Sequence, residues 1–353
     1  MKIKRLKGKS KAQALIAPAL VFIFGAALMG FNALGKAKGF RDNGEIEGYL
    51  TSMGISPKKI KEVYIIPSRR SGAAPLGCAV SFSAAVVYTD LSGQTLTYIS
   101  EAVELIVGES SGESDGRALG GYTITYNEGK LTGNKFIFTR EGGVSLTACF
   151  HNVSEVFEYT VAKYSPDQMG YALLVNKYST LEEGFSPREI IRPRDILNYY
   201  GEQAEASHLE KQAAECLTEM FAAANQAGYE LCLLSGYRSY ARQNYLYNRA
   251  GGKNQTDTAA PGQSEHQTAL AADITWGENK GILAVSRQRD AEFKWLTENS
   301  WKYGFILRYP KGFEKITGYD FEPWHYRYIG KEAAEKYRLS DCSTLEEFIG
   351  SYY

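Results

Sequence analysis

The sequence predicts an α+β domain preceded by an all-β domain and by one N-terminal transmembrane helix. A long uncharged run behind a basic N-terminus predicts the membrane helix. Short alternating runs between glycine-rich turns predict the β domain, and helical periodicity alternating with short apolar runs predicts the α+β domain. The chain of 353 residues is long enough for this arrangement, and its formal net charge of +0 gives no indication of nucleic-acid binding.

The N-terminus predicts a membrane anchor. Residues 1–11 carry only basic charges, and residues 12–35 ("AQALIAPALVFIFGAALMGFNALG") carry none, which exceeds the roughly twenty residues that cross a bilayer. Because basic flanks stay cytoplasmic, we expect a cytoplasmic segment 1–11, a single-pass anchor 12–35, a linker 36–54 and extracytoplasmic domains beyond it. The uncharged run is longer than the ~7–15 residues of a cleaved signal peptide, so a retained anchor is favoured over a cleaved, secreted form.

Residues 55–163 have the pattern of β-strands. "YTITYNEG" places Tyr122, Ile124 and Tyr126 on one face, and "KFIFTREGGVSLTACF" alternates on both sides of a glycine pair. This pattern predicts a small antiparallel sandwich or barrel, with "GESSGESDGRALGG" as a long loop within it. No motif with chemistry lies in this region, so we interpret it as a β-rich spacer domain, with partner binding or signal sensing as alternatives.

Residues 164–353 have a mixed pattern. Apolar residues recur at helical spacing from Leu209 to Ala224, and Ser239 can cap a second helix that runs to about residue 250. A third helix is predicted over residues 290–303. The short apolar runs in "YALLVNK", "YELCLLSG" and "FILRYP" are predicted strands, which completes an α+β domain.

The five cysteines show no CxxC spacing, which argues against a cysteine zinc site. A disulfide between Cys78 and Cys149 would suit an exported domain. Because the number of cysteines is odd, at least one thiol lacks a partner within the chain, and buried free thiols are an equal alternative.

Two separated segments supply residues of the types that bind catalytic zinc. His266 and Asp273 lie in "SEHQTALAADI", where a carboxylate among apolar residues needs a cation, an arginine or a helix N-terminus as its partner. His325 in "EPWHYR" would complete two imidazoles and one carboxylate, a common ligand set for zinc that leaves a position for water. Glu322 precedes His325 by three residues, so a helical turn beginning at Pro323 would place both on one face, where Glu322 could act as general base.

A third segment, "SGYRSYARQ", combines a cation with a helix start. Arg238 ends a predicted strand, Ser239 opens a helix and Gln243 lies in its first turns. A guanidinium beside a helix N-terminus can bind a substrate carboxylate or a developing oxyanion. The alternative is a structural arginine that caps neighbouring carbonyl groups.

Taken together and in this order, the three segments resemble the VanY-type D-alanyl-D-alanine carboxypeptidases, zinc peptidases of the group that includes lysostaphin-like and Hedgehog-like folds. The resemblance covers about residues 170–348 and includes "LLVNKYSTLEEGFSPREI" and "WKYGFILRYP". It implies a zinc peptidase domain with Zn²⁺ bound by His266, Asp273 and His325 and with Glu322 as general base. The positions that it assigns to the pocket for the peptide end are Arg238, Gln243, Ser264, Tyr309 and Trp324.

The resemblance implies removal of the terminal D-alanine from peptidoglycan stem peptides. An LD-carboxypeptidase acting on tetrapeptide stems and a non-catalytic module that binds cell-wall peptides are the alternatives. One position departs from the family pattern SxHxxGxAxD, because Ala269 replaces the glycine. If the backbone there has positive φ, the alanine is strained.

Overall fold

The computed structural model describes residues 44–100, 102–108, 121–125, 134–254, 258–276 and 291–353. The predicted cytoplasmic segment and membrane helix lie outside the described residues, as does almost all of the predicted glycine- and serine-rich loop. Among the helices that the structure does describe, none has the length and apolar character needed to cross a membrane.

The described residues of the N-terminal half form one helix and two β-sheets. Its elements are α1 (Gly44–Ser52), β1 (Pro57–Pro67), β2 (Gly72–Pro75), β3 (Ala79–Asp90), β4 (Thr95–Ser100), β5 (Glu104–Gly108), β6 (Gly121–Thr125), β7 (Asn134–Phe138), β8 (Gly142–Phe150) and β9 (Val153–Ala162). In one sheet β3 pairs with β1, β4 and β7, and β7 pairs with β6; the other has the order β2-β9-β8-β5.

The two sheets pack as a sandwich. Side chains along β8 and β9 alternate between buried and exposed, as expected for strands with one face on a core. Phe82 on β3 and Phe157 on β9 join the sheets, with ring centroids 5.1 Å apart. The pairing is antiparallel except between β2 and β9, so the predicted β-rich character of this region is confirmed.

The C-terminal half mixes helices with a second set of strands. Its strands are β10 (Ile190–Ile191), β11 (Leu197–Asn198), β12 (Leu209–Glu210), β13 (Leu231–Ser235), β14 (Ala271–Trp276), β15 (Phe305–Leu307) and β16 (His325–Tyr328). Its α-helices are α2 (Pro166–Met169), α3 (Lys211–Gln226), α4 (Tyr240–Arg249), α5 (Ala291–Asn299), α6 (Glu314–Thr317), α7 (Lys331–Leu339) and α8 (Leu345–Tyr352). Five strands form a sheet in the order β11-β13-β14-β16-β15, and all six residues of β14, at its centre, are buried.

One predicted strand is wrong. "YALLVNK" forms a 3₁₀ helix at Gly170–Ala172 followed by irregular backbone, although Leu173, Leu174 and Val175 are buried. An apolar run of this length indicates burial but does not distinguish a strand from a buried irregular segment.

A continuous apolar core joins the β-sandwich to the C-terminal half. The C-terminal members of this core include Leu173, Leu174, Val175, Ile306, Ile329, Leu345, Phe348 and Ile349. Helix α8 packs directly on β3, since a Cβ added at Gly350 would lie 1.9 Å from the carbonyl oxygen of Ala79. The sandwich therefore shares its interior with the domain that carries the candidate site.

All five cysteines are free thiols in the structure. Cys78, Cys216 and Cys232 are buried, which agrees with the alternative of buried thiols. Burial raises the pKa of the Cys78 thiol to about 12, which makes it a poor nucleophile.

Candidate active site

Strand pairing brings two distant segments of the chain together. Asp273 on β14 is the cross-strand partner of His325, the first residue of β16, and Ser235 at the end of β13 lies opposite Asp273 on the other side. Directly opposed residues of neighbouring strands have Cβ atoms about 5 Å apart on one face of the sheet. The central sheet thus fixes the carboxylate beside the imidazole.

His266 reaches the same place from a 3₁₀ helix, Glu265–Thr268, which leads into β14. Ala269 ends that helix in the left-handed region, with φ 58° and ψ 17°, and is fully buried. This is the position of the family's glycine, so the alanine is strained by about 1–2 kcal/mol. The turn nevertheless brings His266 into contact with Asp273.

The three side chains converge within the reach of one metal ion. His266 Nε2 lies 3.2 Å from Asp273 Oδ2, and His325 Nδ1 lies 3.1 Å from Asp273 Oδ1. The three ligand atoms lie within 4.8 Å of one another. Ligands about 2.0–2.1 Å from a tetrahedral zinc ion would be roughly 3.3 Å apart, close to the two nitrogen–oxygen distances.

The hydrogen bonds of His266 fit a cation at this point. Its Nδ1 is 2.6 Å from the carbonyl oxygen of Gly236; because a carbonyl only accepts, Nδ1 carries the proton. In the neutral ring Nε2 then directs a lone pair at the Asp273 carboxylate, and two acceptors that face each other at 3.2 Å need a proton or a metal between them. Burial lowers the pKa of His266, although Asp273 opposes this, so the lowered pKa favours the neutral ligand form.

Gly236 is required where it accepts this hydrogen bond. A Cβ at this position would lie 2.3 Å from the backbone oxygen of His208, closer than any side chain could approach. The backbone N–H of Arg238 in turn donates to the carbonyl oxygen of His266 at 3.1 Å. The loop after β13 is therefore held against the 3₁₀ helix that carries His266.

Glu322 lies beside the candidate metal ligands, on a single hydrogen-bonded turn that does not continue into a helix. Residues 322–325 form a four-residue turn closed by the His325 N–H and the Glu322 carbonyl oxygen at 3.3 Å, and His325 then begins a strand. Pro323 occupies the second position of this turn, which suits its fixed φ. Both side chains still point the same way, with Glu322 Oε2 3.5 Å from His325 Nδ1.

The environment of Glu322 suits proton transfer near neutral pH. Burial raises the pKa of its carboxyl group to about 7; the positive charge of His325 opposes this rise, and the negative charge of Asp273 adds to it. The side chain keeps 29% of its surface exposed to the cavity. A base with a pKa near the working pH transfers protons efficiently in both directions.

Arg238 borders the same cavity and is held by its neighbours. Its Nη1 donates to Gln243 Oε1 at 2.9 Å and its Nη2 donates to Ser235 Oγ at 3.1 Å, while Asp273 Oδ2 is 3.8 Å away. Gln243 is fully buried and donates from Nε2 to the carbonyl oxygen of Ala259 at 2.6 Å. Both ends of the Gln243 amide are therefore used to orient Arg238 and the loop at Ala259.

All nine residues assigned to the site by the sequence border a single cavity of about 530 Å³. Tyr309 packs its ring against His325, with centroids 4.8 Å apart, and against Tyr319 at 5.1 Å. The residues that line this cavity include Arg238, Gln243, Ser264, His266, Asp273, Tyr309, Tyr319, Glu322, Trp324 and His325. Tyr319 was not identified from the sequence, because nothing in its local pattern separates it from a packed aromatic residue.

Sequence reasoning also missed the buried charges behind the candidate metal ligands. Glu265 Oε2 lies 3.5 Å from His325 Nε2, and Glu265 Oε1 accepts hydrogen bonds from Arg308 and Arg327, each at 2.7 Å. Glu265 lies among polar residues in "GQSEHQT", unlike Asp273 in its apolar segment, so its burial was not evident from the sequence. Arg327 of "EPWHYR" is thus a structural partner of this carboxylate and does not line the cavity.

Comparison with known proteins agrees with the geometry. The family model described as "VanY: D-alanyl-D-alanine carboxypeptidase" matches residues 206–331. YodJ of Bacillus subtilis (strain 168), named as a carboxypeptidase, is 36% identical over 257 residues, which are 70% of this chain and 93% of YodJ. A D-alanyl-D-alanine carboxypeptidase of Enterococcus faecium is 33% identical over 177 residues, which are 49% of this chain and about half (55%) of that protein.

Two solved structures are also similar. The LdcB LD-carboxypeptidase, whose structure concerns peptidoglycan recognition, is 40% identical with a TM-score of 0.49, covering 52% of this chain and 88% of its own. A mutant of the vancomycin-resistance D,D-pentapeptidase VanY, in complex with Zn(II), is 29% identical with a TM-score of 0.41. The match covers 51% of this chain and 98% of the VanY chain. From the family model and the match to YodJ over nearly its whole length, this chain belongs to the VanY family of zinc-dependent D-alanyl-D-alanine carboxypeptidases.

Proposed function

We propose that this chain removes the terminal D-alanine from peptidoglycan stem peptides, with Zn²⁺ held by His266, Asp273 and His325 and with Glu322 as general base. The observation that carries the proposal is the convergence of the three ligand atoms within 4.8 Å of one another, with Glu322 Oε2 3.5 Å from one of them. A module that only binds peptides has no need of a base at this point.

A zinc ion in this site supplies Lewis acidity, which polarises a carbonyl group and acidifies water. Glu322 accepts a proton from the attacking water at Oε2 and returns it to the nitrogen of the departing D-alanine. Burial of Glu322 raises the pKa of its carboxyl group, which favours both steps. Asp273 and the two histidines remain deprotonated at their ligand atoms throughout.

Arg238 binds the free carboxylate of the peptide end or steadies the oxyanion. Its guanidinium borders the cavity on one side of the metal-ligand set and is already fixed by Gln243 and Ser235. A pre-oriented cation costs little further ordering when an anion binds. Tyr309 and Trp324 form apolar walls and Ser264 adds a hydroxyl group at the cavity.

We further propose that residues 12–35 hold the enzyme at the outer face of the cell membrane. The uncharged run behind a basic segment supports a retained single-pass helix. Such an anchor would confine the enzyme to the region where stem peptides are found.

The test is incubation of the purified protein with a stem pentapeptide ending in D-Ala-D-Ala and, separately, with the tetrapeptide, followed by mass analysis of the products. We expect the pentapeptide to lose one D-alanine. Loss of D-alanine from the tetrapeptide alone would assign LD-carboxypeptidase activity instead. Tight peptide binding to the zinc-loaded protein without any cleavage would assign the binding module.

A further inference from the structure

Behind the metal ligands lies a chain of four buried charges that no proposed catalytic step uses. Glu265, Arg308, Arg327 and Glu346 are each 0% exposed; we call them the inner charge chain. Arg308 joins two of its acids, donating from Nε to Glu265 Oε1 at 2.7 Å and from both terminal nitrogens to Glu346 at 2.7 and 2.9 Å.

One end of the inner charge chain faces a metal ligand. Both arginines bind Glu265 through Oε1, which leaves Oε2 directed at His325 Nε2, 3.5 Å away. Neither Glu265 Oε2 nor His325 Nε2 has a hydrogen-bond partner within the described part of the chain, so the two atoms face each other at the limit of hydrogen-bond distance. A carboxylate in this place favours the tautomer in which Nε2 carries the proton, and Nδ1 then presents its lone pair to Asp273.

We propose that Glu265 is a positioning residue that fixes the ring orientation and tautomer of His325, and that Arg308 and Glu346 hold Glu265 in place. A metal-binding histidine commonly donates its other ring N–H to a carboxylate, which raises the basicity of the ligand nitrogen. The proposal rests on the metal site of the proposed function and assigns a role to residues outside it.

The other end of the inner charge chain reaches the β-sandwich. Glu346 lies in the first turn of α8, and its Oε1 accepts a hydrogen bond from Asn176 Nδ2 at 3.2 Å. The same Asn176 nitrogen donates to the carbonyl oxygen of Gly77, in the turn between β2 and β3, at 3.0 Å. The docking of α8 on the sandwich is therefore connected to His325 through Glu346, Arg308 and Glu265.

Stabilisation of the core does not by itself explain why these four residues are charged. Taking four charges out of water is costly, and well-packed apolar side chains commonly stabilise a core as well as buried ion pairs do. An oriented carboxylate at a histidine, in contrast, requires a buried charge, and that charge requires the arginines. Helix α8 supplies a matched control, because the neighbouring Glu347 is also buried and pairs with Lys135 instead.

The test compares Glu265→Gln, Glu346→Gln and Glu347→Gln in the full chain. Zn(II) affinity is measured by competition with a chromophoric chelator, and the absorption spectrum of the Co(II)-substituted protein reports the ligand geometry. We expect Glu265→Gln to lower the Zn(II) affinity about 10–100-fold and to shift the Co(II) spectrum. Glu346→Gln should change both in the same direction by a smaller factor, and Glu347→Gln should leave both unchanged even if it lowers the melting temperature.

The proposal is overturned if folded Glu265→Gln has the affinity and Co(II) spectrum of the parent. If Glu265→Gln does not fold, the two variants on α8 are compared instead. Equal Zn(II) affinity and equal Co(II) spectra of Glu346→Gln and Glu347→Gln then overturn the proposal. A parent protein that binds no Zn(II) would overturn the metal site of the proposed function as well, which separates the two failures.

Discussion

In the proposed function, Glu322 and the three proposed metal ligands have different roles, although they border one cavity. Asp273 and His325 are cross-strand partners in the rigid central sheet, whereas Glu322 lies on the turn that precedes β16 and keeps part of its surface exposed. Its removal should therefore affect proton transfer and leave metal binding intact.

We expect Glu322→Gln to lower kcat for D-alanine release by about 100-fold or more, the lower range for loss of a general base. Zinc content should remain that of the parent, because Glu322 is outside the ligand set. Release assays and metal analysis on the same preparation measure both. Glu332→Gln serves as control, since its exposed carboxylate pairs with Lys336 on α7. D-alanine release by Glu322→Gln at the rate of this control would contradict the assignment.

The roles of single residues could be predicted from the sequence only where a combination of residue types is characteristic of one kind of site. Two histidines and an aspartate suggest a metal because they are a common ligand set for catalytic zinc, and the structure brings them together. No comparable sequence pattern identifies Glu265, Arg308 and Glu346. Buried charges satisfy one another, and their pairing is decided by contacts between segments that are distant in sequence.

Helix α8 is the element that ties the catalytic half to the sandwich. Gly350 allows the helix backbone to approach β3 so closely that an added Cβ would meet the Ala79 carbonyl oxygen at 1.9 Å. Backbone atoms cannot move aside as a flexible side chain would, so any larger residue must push the helix away from the strand.

Gly350→Ala should therefore lower the free energy of unfolding by about 1–3 kcal/mol, the usual cost of overpacking. Urea denaturation followed by circular dichroism measures the change. The matched variant Gly48→Ala lies in α1 with nothing within 4 Å of the added Cβ, and it should gain about 0.5–1 kcal/mol from helix propensity. Equal stabilities of the two variants would show that the close approach is absent.

Elements with their own local signals were predictable. The apolar spacing in α3 and the cap at Ser239, whose hydroxyl accepts from the Arg242 N–H, identified two helices close to their observed bounds. The conformation of Leu173–Val175 was not predictable, because the segment is buried by the core of the sandwich and not by strand pairing. The turn at Pro323 lies where the sequence predicted it, but it leads into strand β16 and not into a helix.

The shared core makes the β-sandwich part of the folding unit. Nothing in the local patterns of residues 55–163 or 164–353 indicates that their apolar surfaces meet, so the sequence predicted two separate domains. The structure instead has Leu174, Phe348 and Ile349 packed in one core with the sandwich.

A fragment of residues 164–353 should consequently fail to unfold cooperatively, because it would expose this apolar surface to water. Thermal unfolding followed by near-UV circular dichroism tests this, with a fragment of residues 44–353 as the control that keeps the core. A sharp transition of the shorter fragment at the melting temperature of the longer one would contradict a single folding unit.

Zinc dependence of D-alanine release is the decisive property of the whole enzyme. The purified chain should hold about one zinc ion, the number that a single three-ligand site binds. It should lose D-alanine release when a chelator strips the metal and recover it when Zn(II) is added, while His325→Ala should neither retain zinc nor cleave. Undiminished release by the stripped protein, or full zinc content in His325→Ala, would contradict the site built from His266, Asp273 and His325.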